Sequence, residues 1–343
     1  GEYSFVCFGG AIKHVDYQPQ KINPYGDDWV VYPVDGYGSQ ETVRSILRTE
    51  KPDILWFMTD PRFFGWLWEM EDEIRPLLPM VYYHVWDNLP YPDFNKIWYD
   101  SCDHIACISK VTYDIVKTVA PDTDSCYLPH AVNSEVFKPF EEEEIVSLKE
   151  KSSLNDDKFT VFWNNRNARR KQSGSLIFWF AKFLEKVGRD KARLIMHTDP
   201  KDPNGPDLVA QVNNLGLTSG EVQFSKEKVD LAQLAAEQVT DGESWFGIGI
   251  KPSSKAIIGS QDIPYIYEDR INEDDFVDAL EQLYNMSKEE RKKLGQLGRE
   301  HVLKNYNFKT FQTSWKVLIK DILEKFGSWE DRKDYKSWEL TEV

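Results

Sequence analysis

The sequence predicts an α/β protein built from two doubly wound domains that face each other across a cleft. Short β-rich runs alternate with helix-like stretches through the first part of the chain, which is typical of βαβ units and a parallel sheet. The charged stretch "KPFEEEEIVSLKEKSSLNDDK" interrupts this alternation from Lys138, and a second alternating region begins at Thr160. A chain of 343 residues is also long for one hydrophobic core, so two domains are expected.

The first predicted domain spans residues 1–140. Strands are expected at Tyr3–Phe8, Trp29–Tyr32, Ile54–Met58, Met80–Val85, His104–Ile108 and Cys126–Leu128. Helices are expected at Ser39–Thr49, Gly65–Ile74, Phe94–Tyr99 and Lys110–Val119. In the last of these, Val111, Ile115 and Val119 recur at four-residue steps, which is the spacing of one helix face.

The second predicted domain spans residues 141–307. Strands are expected at Thr160–Trp163, Arg193–His197 and Val222–Phe224, and helices at Ser175–Val187, Asp207–Leu215, Asp274–Asn285 and Lys288–Lys304. A final helix, Phe308–Phe326, carries apolar residues at helical spacing: Trp315, Leu318, Ile319 and Ile322. These side chains predict one buried stripe along that helix.

Charge and hydropathy exclude several classes of protein. The net charge of −15 argues against broad nucleic-acid binding, which requires a basic face. No apolar run approaches the ~18 residues of a membrane-spanning helix, and the N-terminal "GEYSFVCFGG" lacks the pattern of a signal peptide. We therefore expect a cytoplasmic protein, with peripheral attachment to a membrane left open.

The cysteines point to no special chemistry. Cys7, Cys102, Cys107 and Cys126 are too scattered for a disulfide framework, so reduced thiols are the simpler interpretation. The spacing of Cys102 and Cys107 has no matching pair of His or Cys, and we predict no metal site. The sequence also shows no recognisable Ser-His-Asp or Cys-His constellation.

One basic stretch stands out in this acidic chain. "FTVFWNNRNARRKQSG" (Phe159–Gly174) gathers Arg166, Arg169, Arg170 and Lys171 between a predicted strand and a predicted helix. A loop in this position presents unpaired backbone N–H groups, and the helix N-terminus adds about half a positive charge. Arginine also offers a forked pair of donors to phosphate oxygens. The loop therefore suits a diphosphate, although a solvated basic loop paired with acidic neighbours is the simpler alternative.

Several other motifs follow in a characteristic order. They are "ISKVTYDIVKTVAPDTDSCYLPHAVNSEVFKP", "LVAQVNNLGLTSGEVQFSKEKVDLAQLA", "EQVTDGESWFGIGI" and "REHVLKNYNFKTF". Together with the basic stretch, in which Arg166 and Lys171 have the matching spacing, they resemble the retaining GT-B glycosyltransferases of family four, the "group 1" family. His130 and Asn133 stand where Asn and Asp are commoner in that family.

The resemblance implies a fold and an activity. The fold would be GT-B, with two Rossmann-like domains and a final helix that crosses back onto the N-terminal domain. The activity would be transfer of a sugar from a nucleotide-diphosphate sugar to an acceptor, with retention of configuration. Arg166 and Lys171 would hold the diphosphate and stabilise the charge that develops as the sugar leaves. Val222, Phe224 and Lys226 would flank the base, and neither metal nor cofactor would be required.

The resemblance also implies roles at the N-terminal side of the site. His84, at the end of "MVYYHVWDN", would form a hydrogen bond with the donor sugar; the alternative is a histidine at a strand end whose hydrogen bonds are made within the protein. Asp87 would orient His84 or meet an acceptor hydroxyl. Asp60 and Arg62 follow a strand end and are the acceptor-side candidates. The aromatic rings of "FFGWLWEM" and "VYYHVWDNLPYPDF" are expected mainly in the core, with a sugar platform as the alternative.

The sequence departs from the family in two places. "EYSFVCFGG" already resembles the second strand of the family, and the glutamate pair near "EGFG" has no counterpart around Ala235–Glu237. Because parallel strands need a long crossover, we expect neighbouring residues between Leu234 and Val239 to lie farther apart than a peptide bond allows. Two hypotheses follow: an active transferase, or a non-catalytic GT-B protein that binds a nucleotide, a glycan or a protein partner. The acceptor (glycan, lipid, protein, small molecule or modified nucleic acid) and the oligomeric state are not predicted.

Overall fold

The computed structural model describes residues 2–10, 13–151, 154, 156–225, 245–329, 331–333 and 335. Within it the chain divides into two compact units. The N-terminal unit combines residues 1–130 with 257–267 and 309–343, and the C-terminal unit contains residues 131–256 and 268–308. The N-terminal unit is therefore discontinuous in sequence, because the chain returns to it twice.

A small mixed sheet forms near the N-terminus. Its strands are β1 (Phe5–Gly9), β2 (Gln20–Ile22) and β3 (Gly26–Pro33). The central strand β3 runs parallel to β1 and antiparallel to β2. The sequence predicts β1 and β3 but misses β2, since a strand of 3 residues is too short to show an alternating pattern.

A parallel sheet forms the centre of the N-terminal unit. Its strands lie in chain order: β4 (Leu55–Met58), β5 (Met80–His84), β6 (His104–Cys107) and β7 (Ser125–Tyr127). All neighbouring pairs are parallel. The carboxyl ends of these strands therefore meet at one edge, which is where the residues that follow β4 and β5 lie.

The helices of this unit start close to where the sequence places them. They are α1 (Gln40–Glu50), α2 (Gly65–Trp68), α3 (Glu71–Ile74), α4 (Lys96–Asp100) and α5 (Lys110–Val119). Ser39 and Ser109 cap α1 and α5 by accepting hydrogen bonds from backbone N–H groups. The prediction of one helix over Gly65–Ile74 is wrong, because the buried Met70 leaves the helical region at φ −113° and ψ 19° and separates α2 from α3.

Aromatic side chains dominate the core beneath these helices. The ring of Phe57 stacks on Tyr82 at 4.9 Å and meets Trp68 edge-on at 5.5 Å. Phe64 and Trp86 are also buried, whereas Phe63 is 39% exposed. The aromatic excess of the two segments named above is therefore mainly core packing, as the sequence predicts.

The charged stretch lies in the C-terminal unit, and its described residues include the helix α6 (Glu142–Lys151). A second parallel sheet follows, built from β8 (Phe159–Asn164), β9 (Ala192–His197) and β10 (Val222–Ser225) in the order β10-β9-β8. Helices α7 (Ser173–Val187) and α8 (Leu208–Asn214) are the crossovers. Parallel strands that alternate with helices confirm the α/β organisation that the sequence predicts for this domain.

Farther along, β11 (Ser254–Ile258) and β12 (Ile266–Arg270) pair in a two-stranded sheet that the sequence does not predict. Helices α9 (Glu273–Asn285) and α10 (Lys288–Asn305) follow. The predicted gap between Leu234 and Val239 lies outside the described residues. No helix in the described part of the chain is long and apolar enough to cross a membrane.

The last helix, α11 (Phe308–Phe326), packs on the parallel sheet of the N-terminal unit. Ile322 and Phe326 are buried against Val81 of β5, and Leu318 lies beside them. Trp315 contacts the ring of Tyr83 edge-on at 5.2 Å. The predicted return of the final helix to the N-terminal domain is therefore confirmed, and the contacts involve its predicted apolar stripe.

Candidate functional site

Residues 165–172, called the cationic loop below, connect the carboxyl end of β8 to the first turn of α7. Arg169–Lys171 forms one 3-10 turn, and Gln172 follows in the left-handed region at φ 49° and ψ 33°. Gln172 provides no side-chain cap, so the first amides of this 15-residue helix have no side-chain acceptor at the N-cap position. The loop therefore ends at a positive helix terminus suited to an anion.

Arg166 is held by an acidic neighbour. Its Nε donates to Oδ2 of Asp202 at 2.7 Å, and its Nη2 donates to Oδ1 at 3.3 Å. This hydrogen-bonded guanidinium, with further bonds from Asn204, holds the pKa of Asp202 well below its usual range, and Asp202 raises the pKa of Arg166. The side chain of Arg166 nevertheless remains 65% exposed. For Arg166, the ion-paired arrangement considered above as the simpler alternative is thus present, but it does not bury the guanidinium.

The other cations of the loop are less engaged. Among the described residues, the side chains of Arg169, Arg170 and Lys171 have no hydrogen-bond or ion-pair partner. Arg169 lines a cavity of about 460 Å³ beside the first turn of α7, together with Arg270. Neither Arg166 nor Lys171 is among the residues that line this cavity. The cations of the loop therefore lie in two places: Arg169 at this cavity, and Arg166 and Lys171 outside it.

A second loop, which follows β9, supports the cationic loop. Asn167 is fully buried; its Nδ2 donates to the carbonyl of Pro206 at 2.8 Å, and its Oδ1 accepts from the Ser173 hydroxyl at 2.6 Å. Gly205 approaches so closely that a Cβ there would lie 2.3 Å from Asn167 Oδ1. These contacts fix the path of the cationic loop relative to residues 199–206.

The candidate base-binding residues lie on β10, whose partner in the sheet is β9. Val222 is buried in the core of the C-terminal unit, and Phe224 packs against that core. The side chain of Val222 is thus unavailable to a ligand, and a base would meet backbone atoms of this strand instead. Lys226 lies outside the described residues.

His84 ends β5 and has no exposed surface. Its Nε2 shares a 2.7 Å hydrogen bond with the hydroxyl of Tyr99, while Nδ1 is buried without a partner. Burial lowers the pKa of His84 to about 3, so the ring is neutral. Tyr99, and not Asp87, makes the hydrogen bond to Nε2 of His84, and the side chain of Asp87 is exposed.

Asp60 and Arg62 lie just after β4 and bind each other. Asp60 caps the short 3-10 turn Pro61–Phe63 by accepting from the Arg62 amide at 3.1 Å. It also accepts two hydrogen bonds from the Arg62 guanidinium, at 3.0 and 3.1 Å. Both residues remain partly exposed at the carboxyl edge of the sheet, as expected from their position in the sequence.

Sequence reasoning missed Asp202 and Asn167. Asp202 lies in "TDPKDPNG", a turn-rich segment after a strand, but its pairing with Arg166 spans 36 residues and has no local signal. Asn167 lies inside the basic stretch, but its hydrogen bond to Pro206 spans 39 residues and has no local signal either.

One side-chain cluster was not expected. Nδ1 of His104 lies 2.9 Å from Asp124, and its Nε2 lies 3.3 Å from the sulfur of Cys126. Burial raises the pKa of Cys126 to about 11, and Lys325 also pairs with Asp124. The thiol is therefore protonated near neutral pH. Over the residues that the structure describes, no group of three or more His, Cys, Asp or Glu side chains is arranged to hold a metal ion.

Solved structures with the same architecture are glycosyltransferases and trehalose-phosphate synthases. A glycosyltransferase from Rickettsia africae is 13% identical, with a TM-score of 0.62 and 86% of each chain covered. The Escherichia coli trehalose-6-phosphate structure bound with UDP-2-fluoro glucose is 12% identical, with a TM-score of 0.55 and 92% of each chain covered. A UDP-forming α,α-trehalose-phosphate synthase from Burkholderia xenovorans is 11% identical, with a TM-score of 0.59 over 92% of this chain and 93% of that one.

No protein-family model matches the sequence, and no curated protein matches it either. At identities this low, likeness between structures establishes the fold alone. The chain has the GT-B fold, as the sequence predicts. Nothing in these comparisons assigns it to family four.

Proposed function

We propose that this protein is a retaining glycosyltransferase that takes a sugar from a nucleotide-diphosphate donor. The observation that carries the proposal is the cationic loop at the carboxyl end of β8. It joins two cations at the predicted spacing, Arg166 and Lys171, to the uncapped start of α7. The GT-B fold supports this assignment, and the resemblance to family four makes the C-terminal unit the expected place for the donor.

In the proposed reaction, an acceptor hydroxyl oxygen bonds to the anomeric carbon and gives up its proton, while the bond from that carbon to the diphosphate breaks. Negative charge builds on the leaving phosphate oxygen, which can take up that proton. Arg166 would donate hydrogen bonds to that phosphate, and Lys171 would supply a mobile point charge beside it. The amides at the start of α7 would add their partial positive charge. Together these groups would fill the place that a divalent cation holds in other transferases, so the proposed mechanism is metal-independent.

Contacts with the base, the acceptor and the donor sugar are proposed from the positions of residues at the ends of strands. Backbone atoms at the end of β10, at Val222 and Phe224, would meet the base. Asp60, Arg62 and Asp87, which follow strand ends of the N-terminal unit, would meet the acceptor. His84 could reach the donor sugar only through its unpartnered Nδ1, and only after a movement that uncovers it.

The identity of the nucleotide is proposed from the solved structures that this chain resembles. The E. coli structure holds UDP-2-fluoro glucose, and the B. xenovorans enzyme is UDP-forming. Uridine-diphosphate sugars are therefore the first donors to test. Nothing comparable favours one acceptor over another.

A second candidate function is binding without catalysis. The absence of a counterpart to the glutamate pair around Ala235–Glu237 favours it, because that pair contacts the donor in the family that the sequence resembles. A protein of this kind would bind the nucleotide or a glycan and leave the donor intact. Cleavage of the donor distinguishes the two functions, because only the transferase would release the nucleoside diphosphate.

The proposal is tested with a panel of nucleotide-diphosphate sugars, assayed for thermal stabilisation and for release of the nucleoside diphosphate. A ligand at free concentration c that binds the folded state but not the unfolded state stabilises the protein by RT ln(1 + c/Kd), so its melting temperature rises as the ligand concentration exceeds Kd. We expect at least one donor to stabilise the protein and to be cleaved. Stabilisation without cleavage would favour the binding function, and no response to any member of the panel would contradict both.

A further inference from the structure

We propose that Asp202 is a positioning residue that fixes the guanidinium of Arg166 for a phosphate ligand. This inference rests on the proposed function, since it concerns the same diphosphate site. It assigns a role to a residue on a different loop, which follows β9. Asp202 touches Arg166 and would not touch the reacting atoms.

The geometry of the ion pair leaves part of the guanidinium available. Asp202 occupies the side edge of Arg166, formed by Nε and Nη2. A guanidinium carries N–H donors on all three nitrogens in a rigid planar fork. Nη1 and the outer hydrogen of Nη2 have no partner among the described residues. These donors form the end edge of the fork, which matches two oxygens of a phosphate.

Asp202 is itself firmly held. It is 12% exposed, and its Oδ1 accepts hydrogen bonds from both the backbone N–H and the side-chain Nδ2 of Asn204, each at 2.9 Å. Oδ2 therefore accepts the shorter hydrogen bond from Arg166, at 2.7 Å from Nε. A carboxylate fixed by its own loop restricts a long side chain that would otherwise sample many rotamers.

The two loops are joined beyond this ion pair. The amide of Arg169 donates to the carbonyl of Asn204 at 3.1 Å, and Asn167 is bonded to the carbonyl of Pro206. The position of Asp202 relative to the cationic loop is thus set by backbone contacts. Asp202 orients the side chain of Arg166, while the other hydrogen bonds between the two loops hold the loops together without the ion pair.

The charge of Asp202 allows a sharp prediction. A carboxylate near a diphosphate repels it, so Asp202 favours binding only by acting through Arg166. When Arg166 is absent, removal of the carboxylate should leave affinity unchanged or increase it. A merely structural role would weaken binding equally in both backgrounds.

The test is a double-mutant cycle on the full chain, with UDP and inorganic pyrophosphate as probes and calorimetric titration at fixed ionic strength. Asp202→Asn keeps an oxygen for the bonds from Asn204 but replaces the acceptor of Arg166 Nε with an amide group. We expect Asp202→Asn to weaken UDP binding about tenfold in the presence of Arg166, within the usual range of coupling between contacting residues. In the Arg166→Ala background the same change should not weaken it.

Asp207→Asn is the matched control. It removes one negative charge at the far end of the same loop, and asparagine can still cap α8 as Asp207 does. UDP binding by this variant should equal that of the unmodified protein. Equal weakening by Asp202→Asn in both backgrounds, or no weakening in either, would overturn the role of Asp202. Failure of the unmodified protein to bind either probe would instead overturn the proposed function, and this inference with it.

Discussion

Burial determines the charge of His84. The ring lies 4.7 Å from Tyr82 and 4.9 Å from Tyr99, measured between ring centroids, and water has no access to it. Desolvation disfavours the charged imidazolium, which lowers the pKa of His84 to about 3. Near neutral pH this side chain therefore contributes a neutral hydrogen-bonding group and no positive charge.

The pKa of His84 predicts a pH-dependent loss of stability. An unfolded histidine titrates near 6.5, so the unfolded chain binds more protons than the folded one between that pH and about 3. Stability is fully present above pH 6.5 and is lost as the pH falls below it, by up to about 1.4 kcal/mol per pH unit. Urea unfolding of the protein and of His84→Gln, from pH 7.5 to 5, checks this. The difference in unfolding free energy between the two proteins should shrink as the pH falls, whereas parallel curves would show that folding does not lower the pKa of His84.

Helix α11 shows how an element far along the chain completes the N-terminal unit. Its apolar stripe covers Val81 and Tyr83 on the central strand β5. The stripe could be predicted from the sequence because helical spacing is a local pattern. The strand that the helix covers could not be predicted, because no local pattern identifies the surface against which a helix packs.

Truncating the buried stripe should destabilise the protein. Ile322 is 2% exposed in the cluster with Val81 and Phe326, so Ile322→Ala should cost about 2–5 kcal/mol of unfolding free energy. Val317 lies on the same helix but is 53% exposed, and Val317→Ala should change stability by about 0.5 kcal/mol at most. Chemical denaturation measures both. Similar values for the two variants would mean that α11 does not bury this stripe in solution.

The junction between the two loops of the C-terminal unit gives a second test at the scale of elements. Any Cβ at position 205 would lie 2.3 Å from Asn167 Oδ1 and 2.4 Å from its backbone oxygen, so Gly205→Ala must displace the cationic loop. We expect this variant to fold but to bind UDP at least about tenfold more weakly, because a misplaced Arg166 loses its oriented bonds. Titration calorimetry with UDP measures the loss.

Gly295→Ala is the control for that substitution. Gly295 lies within α10 with no atom near its Cβ position, so alanine should leave UDP binding unchanged and stabilise the helix by about 0.5–1 kcal/mol. If Gly205→Ala bound UDP as tightly as Gly295→Ala, the loop junction would have no role in the site.

Local patterns explain what could be predicted about the site. Arg166 and Lys171 can be identified because both lie in one stretch between a strand and a helix. Within such a stretch, residues that are close in sequence are also close in space. Asp202 and Asn204 could not be identified, since their contacts with the cationic loop arise from the parallel pairing of β8 with β9. The burial of His84 likewise depends on Tyr99 and on side chains from other elements.

At the scale of the whole molecule, a chain of net charge −15 keeps a small set of exposed cations at the end of one strand. The acidic remainder repels polyanions in general, while a few cations at a helix terminus can still bind one small anion. This distribution favours a discrete diphosphate ligand over an extended polyanion. Two α/β domains are predictable from the order of strands and helices along the chain, whereas the GT-B fold and its returning helix were implied by the resemblance to family four.

The most direct test of the central claim is the rate at which the best donor of the panel is cleaved by Arg166→Ala, Lys171→Ala and Arg169→Ala. Removing one group that stabilises transition-state charge typically lowers the rate by about 100-fold or more. The account predicts losses of that size for Arg166→Ala and Lys171→Ala, with unchanged folding, and a loss of only a few-fold for Arg169→Ala. Equal losses in all three variants would contradict it, because they would indicate a diffuse basic patch in place of a specific diphosphate site.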